Sequence, residues 1–397
     1  MKEDDFPDVN DMSDEEYQDY VVQFLSPRRI EWIGIILFSI ICIVGVGGNC
    51  LVITVVSSAK KMRTSMNILL MNLAVADLII LVICLPTTVA NDVTKTFWFP
   101  VYACKAILFV QNTGVYVSVL SLTYISYERW RAVTNPLETS LSSKTCVISV
   151  IWLFAMVLSI PEPITLELVP APFSRENFTT TWGTQCHASW SHQVERTYQL
   201  IQSCVFYFLP LCLISFLCYR TIQTLNSPQV ALGRRQIVSR KRAVRMLAVV
   251  VTVFALSYLP VHAHNLSVAF AGIPSPDEEE DVDQNLDLPA LRKLLARFFS
   301  YSSSTLNPIL YNIMSRKFRK EFARLVLCRR RERDDEIMTG TWKGINTRKT
   351  SSKDPMIEEK RGHIGALMTR ERGHRHIMKR LNEKEEENKM DEVEGLL

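Results

Sequence analysis

Charge is missing from long stretches of this 397-residue chain, although Lys, Arg, Asp and Glu make up 22% of it. Between Ile33 and Val56 there is no charged side chain, and at about 1.5 Å rise per residue a helix of that length crosses a hydrocarbon core of roughly 30 Å. Comparable apolar runs follow at 67–89, 103–127, 146–160, 200–219, 246–270 and 294–314. Each run alone, the short fourth one most of all, also fits a buried helix of a soluble protein. Seven in series leave that reading little room, and seven crossings put the chain ends on opposite sides of a membrane. An internal repeat is lacking, as are zinc-type spacings among the ten cysteines. Without repeat halves or paired broken helices the pattern does not suit a secondary transporter. The residues before Ile33 lack the basic start and apolar core of a cleavable leader, so the first span is expected to act as its own insertion signal.

What charge there is lies at the span ends. Lys60, Lys61, Arg63, Arg131, Lys144, Arg234, Arg235, Arg240, Lys241, Arg242, Arg316, Lys317, Arg319 and Lys320 fall on one side. The other side carries an acidic N-terminus (Asp4, Asp5, Asp8, Asp11, Asp14, Glu15, Glu16, Asp19) and an acidic loop at 277–283. Basic residues mark the cytoplasmic face, so the N-terminus is expected outside. A net charge of +4 conceals this dipolar layout. The basic runs carry no interleaved aromatics, which argues against a nucleic-acid partner and for solvated or lipid-facing helix ends.

Most cysteines lie within spans or at their inner ends, as small buried hydrophobes do. Cys104 and Cys186 instead fall on the outer, oxidising side, where a disulfide between them would pin the long fourth loop over the mouth of the bundle. The same loop holds Asn177-Phe178-Thr179, a glycosylation acceptor. Asp77 is an isolated mid-span carboxylate that must be hydrated, protonated or paired with a cation. Pro260 removes a helical hydrogen bond inside the sixth span and marks a hinge, with Phe254 and Tyr258 close to it.

Asn49 in the first span, Asp77 within Leu73-Ala74-Val75-Ala76-Asp77-Leu78, Glu128-Arg129-Trp130 ending the third, Trp152 and Pro210 follow in order. Tyr258-Leu259-Pro260 and Asn307-Pro308-Ile309-Leu310-Tyr311 complete the series. One motif per span, this resembles the rhodopsin-like G-protein-coupled receptors from about residue 30 to 328. The resemblance implies an all-α membrane protein, a seven-transmembrane-helix bundle with a short amphipathic eighth helix, and no enzymatic activity. The expected layout is an acidic, disordered extracellular segment at 1–29 and the bundle at 30–314. An amphipathic juxtamembrane helix at 315–328 and a disordered cytoplasmic tail at 329–397 complete it. Arg129 is expected to be neutralised by Glu128 at rest and to meet a heterotrimeric G protein when freed. Phe254, Tyr258, Pro260, Asn307, Pro308 and Tyr311 carry the helix movement. The resemblance also implies a sodium ion near Asp77, Ser118 and Asn307, beside Asn49 and Ser304; a protonated Asp77 in a hydrogen-bond network is the competing reading. Three departures stand out. The start of the sixth span offers Arg240, Lys241 and Arg242 but no acid to bridge to Arg129, Tyr258 stands where many relatives have tryptophan, and Cys218 precedes Tyr219 where a tyrosine is usual.

For the ligand, Tyr301 occupies the position of the retinal lysine and Gln111 that of the amine-pairing aspartate, which excludes a light sensor and disfavours an amine. Cys84-Leu85-Pro86-Thr87-Thr88-Val89, Asp92, Phe97-Trp98-Phe99, Gln111, Trp130 and Asn265 are similar to the orexin and allatotropin peptide receptors. That similarity implies a neuropeptide ligand whose amidated end or backbone meets Gln111 and Asn265, with Thr88, Val115 and Tyr301 lining the pocket. Cross-helix bonding of the two amides is the alternative. Arg297 lies about one turn outside Tyr301 and needs either an acidic ligand group or Asp92. Neuropeptide FF-like and neuropeptide Y-like receptors share many of these motifs and are the runner-up. Coupling through the Gq type, with calcium release, is the expectation from the orexin and allatotropin similarity.

At the ends, Tyr17 and Tyr20 among carboxylates are candidates for sulfation, against a plain solubilising tail. Residues 316–327 alternate basic and apolar at helical spacing and are expected to lie on the inner membrane lipid. Cys328 is a palmitoylation candidate or a free thiol. Thr347, Thr350, Ser351 and Ser352 are candidate sites for receptor kinases, with arrestin as reader. The chain as a whole is expected in the plasma membrane, multi-pass, with its N-terminus extracellular.

Overall fold

The computed structural model describes residues 12–135, 143–170, 180–227, 234–271 and 288–327. Asn177, Cys328, the acidic loop at 277–283 and the tail with its candidate phosphosites lie outside the described residues. The elements are α1 (Asp14–Phe24), α2 (Arg29–Ser58), α3 (Ser65–Thr94), α4 (Val101–Thr134), α5 (Lys144–Thr165), β1 (Leu166–Val169), β2 (Gln185–Ala188), α6 (His192–Asn226), α7 (Arg234–Ala271), α8 (Leu288–Met314) and α9 (Arg316–Val326). The seven expected spans are α2 to α8.

Among the described residues α2 to α7 have the length and hydropathy to cross a membrane. The seventh span, α8, is as long, but Arg292, Lys293, Arg297 and the Ser302-to-Thr305 run lower its hydropathy. Packing compensates, because α8 lies against α7 and α2, and its Thr305 and Ser302 hydroxyls bond to backbone of α2 and of α8 itself. Thr305 Oγ1 donates to the Ile41 carbonyl (3.0 Å) and Ser302 Oγ to the Phe298 carbonyl (2.6 Å).

Glycines let α2 approach its neighbours. A Cβ on Gly45 would stand 2.6 Å from Leu81 Cδ1 and collide with Thr305 Oγ1, and one on Gly48 would stand 2.9 Å from Pro308 Cβ. Gly45→Val is therefore expected to lower stability by roughly 1–3 kcal/mol through overpacking, read as a fall in Tm of the detergent-purified protein. An unchanged Tm would mean that α2 can move off α3 and α8 there.

Prolines and wide turns occur together. A π-helical turn at Ile80–Cys84 precedes Pro86 in α3, and another at Cys204–Phe208 precedes Pro210 in α6. The extra residue absorbs the bend forced by a ring that cannot donate to the preceding turn. Pro260 and Pro308 sit inside α7 and α8.

The N-terminal segment, expected to be disordered up to residue 29, contains a helix. Ser13 caps α1 in a capping box with Glu16, whose carboxyl is held below the usual carboxylate range by the Ser13 backbone N–H. Tyr17, Val21 and Leu25 recur every four residues and pack with Trp182. Trp182 in turn stands edge-on to Trp98 at 4.7 Å. The acidic residues mask that apolar stripe in composition. Tyr17 is only 7% exposed, so of the two sulfation candidates its ring is the less available, and Tyr20 is half-buried.

At the far end of the bundle α9 buries Phe318 and Phe322. The Phe318 ring lies 5.7 Å from that of Tyr311 at the end of α8.

Candidate functional site

The disulfide end of the bundle holds the expected ligand residues. Cys104 at the start of α4 is bonded to Cys186 in β2, with Cα atoms 5.9 Å apart. β1 and β2 pair antiparallel, Leu168 opposite Cys186. The loop after α3 is sewn to this hairpin: Phe97 N–H donates to the Thr184 carbonyl (2.7 Å), and Gly183 N–H to Thr96 Oγ1 (2.8 Å). Gly183 has φ 81°, a left-handed conformation that glycine adopts without strain. The disulfide, the ladder and the tryptophan pair hold the hairpin as a fixed wall of the mouth.

Beneath it the structure gathers the expected residues into two groups. On the α3–α8 side, Thr88 Oγ1 and the Tyr301 hydroxyl share a hydrogen bond of 2.8 Å. One turn further out, Asp92 pairs with Arg297 and, at 3.4 Å, with Lys293. Of the two partners open to Arg297, the structure supplies Asp92. On the α6–α7 side, Asn265 Nδ2 donates to Gln199 Oε1 at 3.3 Å, and His262 meets Ser203 Oγ at 3.0 Å. Val115 packs between the core clusters of α3 and α4. Gln111 on α4 is half-buried and has no hydrogen bond to another described residue, Asn265 included. Asn265 on α7 thus bonds across to α6, as the alternative reading has it, while Gln111 makes no such bond among the described residues.

One polar cluster was not expected from the sequence. Glu162 accepts a hydrogen bond from Asn112 Nδ2 (2.6 Å) and one from the Tyr198 hydroxyl (3.3 Å). Beside it Gln202 Nε2 donates to the Tyr116 hydroxyl at 3.0 Å. Its signal was present as a lone acid between Pro161 and Pro163, but only the approach of α4, α5 and α6 shows what that acid meets.

In mid-bundle Asp77 is 2% exposed and accepts from Asn307 Nδ2 at 2.8 Å, with Ser304 as a second donor. Asn49 Nδ2 donates to the carbonyls of Gly45 (2.9 Å) and Ser304 (3.0 Å), which leaves its Oδ1 buried and unpartnered. Ser118 donates to its own helix, to the Gly114 carbonyl. A carboxylate, an orphaned amide oxygen and neighbouring hydroxyls make a donor set suited to a small hard cation. Nearby, Trp152 Nε1 donates to Asn72 Oδ1, and Asn72 Nδ2 to Ser121 Oγ, tying α5, α3 and α4 together.

At the Arg129 end, Arg129 Nη2 stands 3.8 Å from Glu128 Oε2. The missing acid of the sixth span is replaced by a different tie, since Arg240 Nη1 on α7 donates to the Ala132 carbonyl on α4. The Phe254 and Tyr258 rings meet at a tilt of 32° with centroids 4.6 Å apart, below Pro260. Tyr219 is 59% exposed and accepts from Gln223, while the Tyr311 hydroxyl is buried with no partner. The departure noted at Cys218 therefore turns the tyrosine away from the bundle.

A polar mouth closed by a disulfide-tied hairpin, a buried acid at mid-depth and a partly buried arginine at the opposite end are the layout of a seven-helix membrane receptor. Residues 48–311 match the 7 transmembrane receptor (rhodopsin family), and the chain belongs to that family. It is 33% identical over 305 residues to a bombesin receptor of Bombina orientalis, a match covering 74% of this chain and 76% of that receptor.

Proposed function

We propose that the chain is a plasma-membrane receptor for an amidated neuropeptide, with its N-terminus outside, and that it activates a heterotrimeric G protein of the Gq type. The observation that carries this is the mouth itself. It combines an unpaired Gln111 amide, the Asp92–Arg297–Lys293 ion cluster and the Glu162 carboxylate, a set of groups matched to a ligand with several polar and charged groups instead of a single amine. A bombesin receptor is by its name a peptide receptor, which supports the same class.

Ligand binding works by population shift. A peptide that prefers the state with α7 swung out about Pro260 breaks the Arg240–Ala132 tie and opens the Arg129 end to the G protein. A sodium ion beside Asp77, Ser118 and Asn307 would favour the closed state, since those groups come from three different helices. Arrestin and receptor kinases acting on the tail, a glycan on Asn177 and a palmitate on Cys328 belong to the same reading.

Local residues of the mouth favour an orexin- or allatotropin-like peptide. The overall identity to a bombesin receptor favours a bombesin-like one. One experiment separates them. Cells expressing the receptor are challenged with amidated peptides of both groups, plus neuropeptide FF- and neuropeptide Y-like peptides, and intracellular calcium is recorded. A saturable response to one group, weakened by roughly tenfold or more in Gln111→Ala as expected for a buried hydrogen bond to a ligand, supports the reading and selects the group. Silence at full surface expression, with promiscuous G proteins supplied, would refute it.

A further inference from the structure

Glu128 has two cationic neighbours, one adjacent in sequence and one across the seam to α5. Lys144, the first residue of α5, places its Nζ directly on Glu128 Oε1. Arg129 Nη2 stands 3.8 Å from the other oxygen, Oε2, beyond hydrogen-bond range. Both Oε2 and Arg129 Nε are buried without a hydrogen-bond partner. The hydrogen bond of this carboxylate has thus gone to the lysine, and the arginine keeps only a Coulombic contact.

The surroundings make that division matter. The Lys144, Glu128 and Arg129 side chains are 14%, 13% and 26% exposed. At such burial the attraction is screened less than at an open surface, and a carboxylate shared with Lys144 neutralises Arg129 less than one devoted to it would. Lys144 is also held from below, with its Nζ 5.6 Å from the centre of the Tyr124 ring, one turn before Glu128 on α4. Arg240 lies close enough to repel Arg129 and is itself tied to Ala132, so α7 supplies no second anion.

We propose that Lys144 is a positioning residue of the G-protein switch: by drawing the Glu128 carboxylate toward α5 it leaves Arg129 under-neutralised, and so sets how much nucleotide exchange the receptor drives with no ligand bound. This rests on the G-protein reading above. Removing the lysine lets Glu128 turn onto the guanidinium and pin it, which lowers resting activity. Removing the carboxylate frees Arg129 whether or not the lysine is present.

The test uses the full-length receptor in phospholipid vesicles with purified heterotrimeric G protein, and follows loading of a non-hydrolysable GTP analogue without ligand. Lys144→Ala is expected to lower the resting rate roughly two- to fivefold, the range of a single partly exposed ion pair. Lys144→Arg should restore it, and Glu128→Gln should raise it. Adding Lys144→Ala to Glu128→Gln should then lower the rate little further, because the effect of the lysine on Arg129 passes through that carboxylate. A lysine that merely supports the fold would depress the rate equally in both backgrounds and lower Tm with it; that result overturns the proposal. So does an unchanged rate in Lys144→Ala, which leaves G-protein coupling intact. A wild-type receptor that loads no more nucleotide at rest than receptor-free vesicles, with each G-protein class in turn, overturns the proposal and leaves the ligand-driven coupling reading to the calcium experiment above.

Discussion

Arg129→Ala is expected to abolish ligand-driven nucleotide exchange while leaving ligand binding at the mouth in place. The Arg129 side chain sits at the end of α4, a quarter exposed, with a buried Nε that has no partner. A permanent cation in that setting costs free energy unless something else meets it, and the docked G protein is the reading that supplies the partner. Truncating a central arginine anchor of an interface costs about 2 kcal/mol or more, or roughly thirtyfold or more in coupling. Arg129→Lys keeps the charge but not the planar fork, and should recover only part of the loss. The measurement is G-protein loading at saturating ligand, with binding of labelled ligand as the control. Exchange at the wild-type level in Arg129→Ala would mean that the G protein does not touch this residue.

The Asp92–Arg297 pair should give the second large effect. Its side chains are 21% and 28% exposed, so the cost of orphaning one partner lies below that of a fully buried pair; about 1–3 kcal/mol is expected for Asp92→Ala. Lys293, 3.4 Å from Asp92, makes a charge swap instructive. Asp92→Arg combined with Arg297→Asp should recover only part of the loss, because the new arginine faces Lys293. The readout is Tm of the ligand-free receptor. Ligand chemistry is read separately: Arg297→Glu should weaken an acidic peptide far more than its neutral analogue. Equal weakening of both would assign Arg297 to holding α8 against α3 and to nothing in the ligand.

Much of this receptor was legible along the chain. Ile33 to Val56 carries no charge, and as the first of seven such runs it marks a membrane crossing. Glu128-Arg129, Pro260 and Asn307-Pro308 are marked because charge and proline inside such runs are costly wherever the chain folds. The seventh span shows the limit of hydropathy, since α8 carries arginines and serines whose partners lie partly in its own backbone (Ser302) and partly on neighbouring helices (Arg297 with Asp92, Thr305 with Ile41). Composition also misled at the N-terminus, where a stripe of Tyr17, Val21 and Leu25 folds as a helix beneath a count dominated by acids.

The sequence by itself determined the number and order of the spans, the cysteine pair and the family, because each follows from local hydropathy, spacing or motif. The tertiary structure alone decided which partner each buried polar group takes. Arg297 goes to Asp92, Glu162 to Asn112 and Tyr198, Arg240 to the Ala132 carbonyl, and Glu128 is shared between Arg129 and Lys144. Except for Glu128 and Arg129, these partners come from different helices. The pairings depend on helix rotation and depth, and those are set by the close approach at Gly45, the wide turns before Pro86 and Pro210, and the disulfide-tied hairpin.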